Sequence, residues 1–275
     1  MKTRIITGLI LAAMVIILLM LQNNLLLCAV ISLIAAAMTF ELIRALECHW
    51  IYPFLIINLL FSLAMPFMVM QQTIKYLPLV VPLYLTISLF FVMLSYTKLD
   101  MKKIGLFYTE HMLISFGIGS LTLLKLNFGA DSTFYIIMAM LFAFITDAGA
   151  YFTGRALGKH KLSPHVSPHK TVEGSIGGVI ISLVICTGVT LGYKAWFLKE
   201  SAQINYVGMI VLTLLASLSS MIGDLMASAI KRSCGIKDFG KLLPGHGGML
   251  DRLDSLMFTT PITLGFISLF PIVSR

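Results

Sequence analysis

Between Ser228 and Asp254 an otherwise apolar chain turns polar. These 27 residues hold Lys231, Arg232, Lys237, Lys241 and Arg252, the acids Asp238, Asp251 and Asp254, His246, and the pair Gly247-Gly248. Two further acids, Asp147 and Asp224, lie in strongly apolar surroundings upstream. Carboxylates held close together repel unless a cation binds. A hard divalent ion such as Mg²⁺ takes one or two carboxylates together with phosphate oxygens. Lysines and arginines are what a polyphosphate needs in the same place. A glycine pair opening a helix offers bare backbone N–H groups to an anion. The stretch therefore predicts Mg²⁺-dependent chemistry on phosphates. A solvated loop is the plainer reading of its composition; the order of its residues argues against that.

The elements that must position these groups are membrane spans. Of 275 residues, 58% are hydrophobic and 12% charged, against about 25% charged in a soluble domain. Long continuous apolar runs exclude a β-barrel, whose strands alternate. The chain reads as an all-α, polytopic helical membrane protein with about nine spans near 5–21, 25–46, 51–71, 76–96, 104–124, 133–153, 175–194, 204–225 and 255–273. Each approaches the ~20 residues that cross a bilayer core. Pro53 and Pro66 interrupt the third, and Gln22-Asn23-Asn24 makes a short turn between the first two. The first run is long for a signal peptide and lacks a small-residue cleavage site, so it reads as an uncleaved span. Two parts follow: an N-terminal set of about five spans, 1–125, and a C-terminal region, 126–275, carrying both polar loops.

Charge supplies the orientation. With a cytoplasmic N-terminus and alternating spans, 15 of the 20 Lys and Arg residues fall inside; Lys75, Lys125, Lys194, Lys199 and Arg275 fall outside. The positive-inside rule favours this arrangement. It places Asp147, Asp224, Asp251 and Asp254 at the cytoplasmic membrane boundary, where the active site is expected. The net charge of +8 then reflects topology and anionic headgroups rather than nucleic acid. The four cysteines show no metal spacing and predict no disulfide.

Other polar residues carry weaker signals. Glu41, Arg44 and Glu47 are three apart, and a local ion pair at the end of the second span is the preferred reading. Glu110 and His111, inside the fifth span, either line a cavity or hold a neighbouring helix. Asp147 and Asp224 are functional candidates because intramembrane carboxylates are costly; hydrogen bonding to a neighbouring helix is the alternative. His160, His165 and His169 match no zinc pattern, and Pro164 and Pro168 would break any helix aligning them, so they read as solvated loop residues. Ser167 and Lys170 offer a hydroxyl and a cation to an anion, before a capping pattern. Gly174, Gly177 and Gly178 give the seventh span a small face for close packing. Asp251 and Asp254 are expected to share a face in the first turn of the last helix.

The run SAIKRSCGIKDFGKLLPGHGGMLDRLD, Ser228 to Asp254, resembles the signature of the phosphatidate cytidylyltransferase family, and DAGAYFTGRALGKH with SPHKTVEG, Asp147 to Gly174, is similar to that family's second motif. The family typically carries a lysine where His169 stands. The resemblance is strong over the C-terminal half and slight before it, apart from the FEL around Glu41. It implies a reaction of CTP with phosphatidic acid to give CDP-diacylglycerol and pyrophosphate, in a multi-pass protein of the cell (inner) membrane, as a homodimer, without nucleic acid. It implies Mg²⁺ on Asp224 and Asp251, with Asp254 and Asp147 as supporting or second-cation residues. Lys231, Arg232, Lys237 and Arg252 would hold phosphates, and His246 would bond the leaving pyrophosphate. Two other classes stand beside this one. A related CTP-using lipid kinase or lipid cytidylyltransferase would differ in its products. A transporter would concentrate polar groups near the midplane, whereas here they gather at one boundary.

Overall fold

The structure, a computed structural model, describes residue 20 and residues 23–70, 73–198 and 202–274. The expected first span lies outside the described residues apart from Met20, as do Gln22 of the first turn and Lys2, Arg4, Lys199 and Arg275. The chain forms two compact units, one from residues 1–126 with 230–253, the other from 127–229 with 254–275.

The first unit is built on α1 (Asn24–Ala45), α2 (Tyr52–Met68), α3 (Leu77–Leu94) and α4 (Met101–Asn127). Asn23 caps α1, its side-chain oxygen accepting from Leu25 N and Leu26 N at 2.9 and 3.2 Å. Pro53 falls in the first turn of α2, where its missing N–H costs nothing, and Pro66 lies near the helix's other end. The helix that these prolines were expected to interrupt is therefore continuous. A polar network crosses the apolar packing. His111, fully buried, meets Ser62 Oγ through Nε2 at 2.9 Å and Tyr84 OH through Nδ1 at 2.7 Å. Ser62 also meets Thr39 Oγ1 at 2.7 Å, so one histidine on α4 ties α1, α2 and α3 together. Of the two readings open for His111, holding neighbouring helices is the one observed.

The second unit contains α5 (Ser132–Leu157), a hairpin of β1 (Lys161–Ser163) and β2 (Ser167–Thr171), α6 (Val172–Phe197), β3 (Gln203–Ile204), most of α7 (Tyr206–Ser233), α9 (Leu256–Leu269) and β4 (Val273–Ser274). The stretch read as a loop of solvated histidines is thus an antiparallel hairpin, Lys161 opposite Thr171 and Ser163 opposite Ser167. Its exit is fixed by the expected capping pattern. Thr171 Oγ1 accepts from Gly174 N at 3.1 Å. Glu173 accepts from Lys159 N at 3.0 Å and meets His160 Nδ1 at 2.6 Å. The small face of α6 lies against α5: a Cβ on Gly178 would stand 2.6 Å from Thr146 O, and one on Gly174 2.7 Å from Ala150 O.

Among the described residues, five helical segments are long and apolar enough to cross a membrane: Asn24–Ala45, Ile74–Leu94, Gly129–Leu157, Val172–Phe197 and Tyr206–Ser233. Tyr52–Met68 and Leu256–Leu269 are apolar but shorter. The last helix is broken. Leu250–Leu253 forms a single turn, α8, and a new helix starts at Leu256. Asp254 therefore lies beyond the turn that carries Asp251, and the two do not share the first turn of one continuous helix.

Candidate active site

In the first unit, the polar stretch folds on itself around two buried carboxylates. Leu243-Pro244-Gly245-His246 makes a tight turn, with His246 N donating to Leu243 O at 2.8 Å and Gly245 at φ +79°. Proline then glycine at the two central positions is what a type II turn requires. Gly247, at φ +88°, continues a backbone that other residues adopt with strain. Asp251 gathers the loop. Its Oδ1 pairs with Lys231 Nζ at 2.9 Å, while Oδ2 accepts from Phe239 N at 2.8 Å and Gly248 N at 2.9 Å. Lys231 also lies 5.3 Å from the centre of the Phe239 ring. Arg252 is exposed and donates through Nε to His246 O at 2.8 Å, which leaves the rest of its guanidinium fork pointing away from that bond. His246 Nδ1 is buried without a hydrogen-bond partner. Arg232 and Lys237 are exposed.

Gly248 does not offer a bare N–H group to a phosphate as expected. Gly248 N is taken by Asp251, and Leu250 N donates to Glu41 Oε2 at 2.9 Å. Carboxylates of the protein occupy the position that the sequence assigned to an anion. Nor is Glu41 in a local ion pair. It is 5% exposed and turned to the loop, while Glu47 pairs with Lys103 at 2.7 Å. That bond from Lys103 holds the Glu47 carboxyl below the usual carboxylate range.

In the second unit, a cavity of about 470 Å³ is lined by Asp147, Tyr151, Arg155, His169, Lys170 and Asp224, among others. Lys170, delivered by β2, forms an ion pair with Asp224 Oδ2. Asp147 Oδ2 accepts from Ser255 Oγ at 3.0 Å, and Asp254 Oδ1 accepts from Ser255 N at 2.8 Å. Ser255 thus connects two of the expected acids. Ser167 sits at the far end of the hairpin, opposite Ser163, and does not line the cavity. Tyr151 and Arg155 were not singled out from sequence. The signal was present: 147, 150, 151, 154 and 155 lie at the spacing of one helical face, and all five line the cavity.

Two of the expected metal ligands carry a lysine, Lys170 on Asp224 and Lys231 on Asp251. An ammonium on a carboxylate supplies the charge balance that a cation otherwise would. Among the described residues no group of three or more His, Cys, Asp or Glu side chains forms a metal cage. Mg²⁺ needs only one or two carboxylates beside waters and substrate phosphates, and Asp224 and Asp251 are carboxylates of that kind.

A cytidylyltransferase family model matches residues 2–270. A phosphatidate cytidylyltransferase of Staphylococcus saprophyticus is 39% identical over 183 residues, 64% of this chain and 65% of the relative. One from Staphylococcus aureus (strain COL) is 38% identical over 190 residues, 66% of this chain and 68% of the relative. One from Bacillus subtilis is 44% identical over 136 residues, 50% of this chain and 48% of the relative. The match to the first spans just under two thirds of that protein's length. With the family's pattern running from one end of the sequence almost to the other, the chain belongs to the cytidylyltransferase family.

Proposed function

We propose that the protein transfers a cytidylyl group from CTP to phosphatidic acid at the cytoplasmic face of the cell membrane. A phosphate oxygen of the lipid forms a bond to the α-phosphorus of CTP, the bond from that phosphorus to the bridging oxygen of the β-phosphate breaks, and pyrophosphate leaves. The products are CDP-diacylglycerol and pyrophosphate. The supporting observation is the pairing of carboxylate with lysine in both units, Asp224 with Lys170 and Asp251 with Lys231. Both kinds of charge that a metal–polyphosphate complex requires are present in each pair. A phosphate monoester is already nucleophilic, so alignment and charge neutralisation are the main requirements. Asp224 and Asp251 would hold Mg²⁺, with Asp147 and Asp254 as further candidates, and the ion would neutralise phosphate charge. Lys170, Lys231, Arg232, Lys237 and Arg252 would hold phosphates. Tyr151 and Arg155 add an aromatic face and a cation to the cavity wall. The names of the relatives support the same substrates.

The test is purified protein with α-labelled and γ-labelled CTP, with and without phosphatidic acid. The expected outcome is lipid-dependent transfer of the α-label into lipid with release of pyrophosphate. Transfer of the γ-label into lipid with release of CDP would establish a lipid kinase instead. No turnover of CTP with any phospholipid would remove the proposal.

A further inference from the structure

Glu41 is the least expected carboxylate in the first unit. It stands on α1, 209 residues before the backbone it bonds. Burying a carboxylate is costly unless donors compensate it, and here the donors are all backbone. Leu250 N donates to Oε2 at 2.9 Å, and the Met249 backbone also hydrogen-bonds the carboxylate. Two glycines make room for it. A Cβ on Gly240 or on Gly248 would stand 2.6 Å from the Glu41 carboxyl carbon, well inside van der Waals contact. Asp251 meanwhile takes Phe239 N and Gly248 N. Both ends of the loop, 239–240 and 248–250, are therefore clasped by carboxylates, one internal to the loop and one from α1. Glu41 Oε1 is buried and lacks a hydrogen-bond partner, so the group is not poised in water to move protons.

We infer that Glu41 is a positioning residue: its carboxylate holds the backbone of residues 240–250 in the conformation that presents Asp251 and Arg252. The consequence for turnover rests on the proposed cytidylyltransferase reading; the consequence for loop conformation does not. Glutamine is the conservative variant: its carbonyl oxygen can take the place of Oε2, which accepts from Leu250 N, and its amide takes the place of Oε1, which has no partner. Aspartate is shorter by one methylene and retracts the carboxylate from the loop.

The test uses the full-length protein in detergent, with Glu41→Gln, Glu41→Ala, Gly240→Ala and the double variant Glu41→Ala/Gly240→Ala. Loop conformation is read from the rate of tryptic cleavage after Lys237 and Lys241, both exposed within the loop. Turnover and KM for CTP are measured in parallel. Glu41→Ala and Gly240→Ala should each speed cleavage about tenfold, while Glu41→Gln should stay within about threefold of wild type. The first two should lower kcat at least tenfold with KM changed less than threefold, the split expected when alignment rather than binding is lost. The double variant should be no worse than Glu41→Ala, because the space that a Cβ on residue 240 needs has been vacated. Wild-type cleavage rates in Glu41→Ala would overturn the inference. So would a Gly240→Ala effect that adds in full to that of Glu41→Ala. If Glu41→Ala does not fold, Gly240→Ala still decides it, since wild-type cleavage in that variant would also overturn the inference. Faster cleavage in a protein whose wild type lacks cytidylyltransferase activity would leave the positioning role standing and remove only the reaction.

Discussion

At the scale of single residues, two ion pairs of the same composition have different surroundings. Asp251 and Lys231 have side chains 3% and 14% exposed, and Asp251 also accepts from two backbone N–H groups. Asp224 and Lys170 are 26% and 25% exposed and line an open cavity. Asp251 is thus a structural hub as well as a functional candidate, and the two should separate on substitution. Asp251→Asn keeps one acceptor oxygen but weakens three bonds to a charged group, and should cost about 2–3 kcal/mol of stability. Asp224→Asn should cost at most about 1 kcal/mol, as for a partly solvated ion pair, yet lower turnover by at least a hundredfold. Thermal unfolding in one detergent, with CTP turnover alongside, checks both; equal losses of stability would contradict the distinction. The residue types at these sites were legible in sequence because apolar surroundings make each charge conspicuous. Their partners were not. Nothing in the spacing of Glu41 and Arg44 says that Glu41 turns away from its neighbour to a backbone 209 residues on.

At the scale of elements, hydropathy located the helices well, because the bilayer sets their length and forbids unpaired backbone. It could not locate the β1–β2 hairpin, whose residues show no alternating pattern, nor the break at Asp254 and Ser255 that separates α8 from α9. The glycine face of α6 was legible, and its counterpart on α5 explains it. A Cβ on Gly149 would come 3.1 Å from Gly178 Cα, and one on Gly154 would come 3.4 Å from Gly174 Cα. This close approach brings β2 and Lys170 to the helix that carries Asp147. Gly178→Ala should therefore cost about 1–3 kcal/mol through overpacking against Thr146 O. Gly188 lies on the same helix with nothing within 4 Å of an added Cβ. Gly188→Ala should be neutral or stabilising by up to about 1 kcal/mol, since alanine is the better helix former. Unfolding of both variants in one detergent makes the comparison, and equal losses would mean that the glycine contact does not hold α5 to α6.

At the scale of the whole molecule, the membrane topology depends on whether α9 crosses. Its 14 residues reach only about 21 Å at 1.5 Å per residue, short of the roughly 30 Å hydrocarbon core. The chain continues after it: residues 270–273 run on beyond the helix, with bends at Phe270 and Ile272, and add at most about 13 Å. Non-helical backbone at such depth is tolerated only when its polar groups are satisfied, and several of them are. Phe270 N donates to Phe266 O at 2.7 Å, Pro271 has no N–H, Ile272 O accepts from Asn205 N at 2.9 Å, and Val273 N donates to Tyr135 OH at 3.2 Å. The β3–β4 ladder then pairs Gln203 with Ser274 and Ile204 with Val273, so the chain after α9 returns to the start of α7. The start and the end of α7, about 42 Å apart over 28 residues, are far enough apart to lie on opposite sides of a bilayer. Ser274 therefore belongs on the side of Gln203, and the excess of basic residues elsewhere predicts that this is the outer side. Native Cys234, just past the end of α7 and half-buried, marks the other side, while Cys28, Cys48 and Cys186 are buried and inert to labelling. In right-side-out vesicles, Ser274→Cys should react with a membrane-impermeant maleimide before permeabilisation, and Cys234 only after it. Both sites reacting from the same side would show that α7 and α9 do not cross as a pair. Labelling of Cys234 alone before permeabilisation would invert the orientation and move the acids to the outer face, where CTP is not available to them.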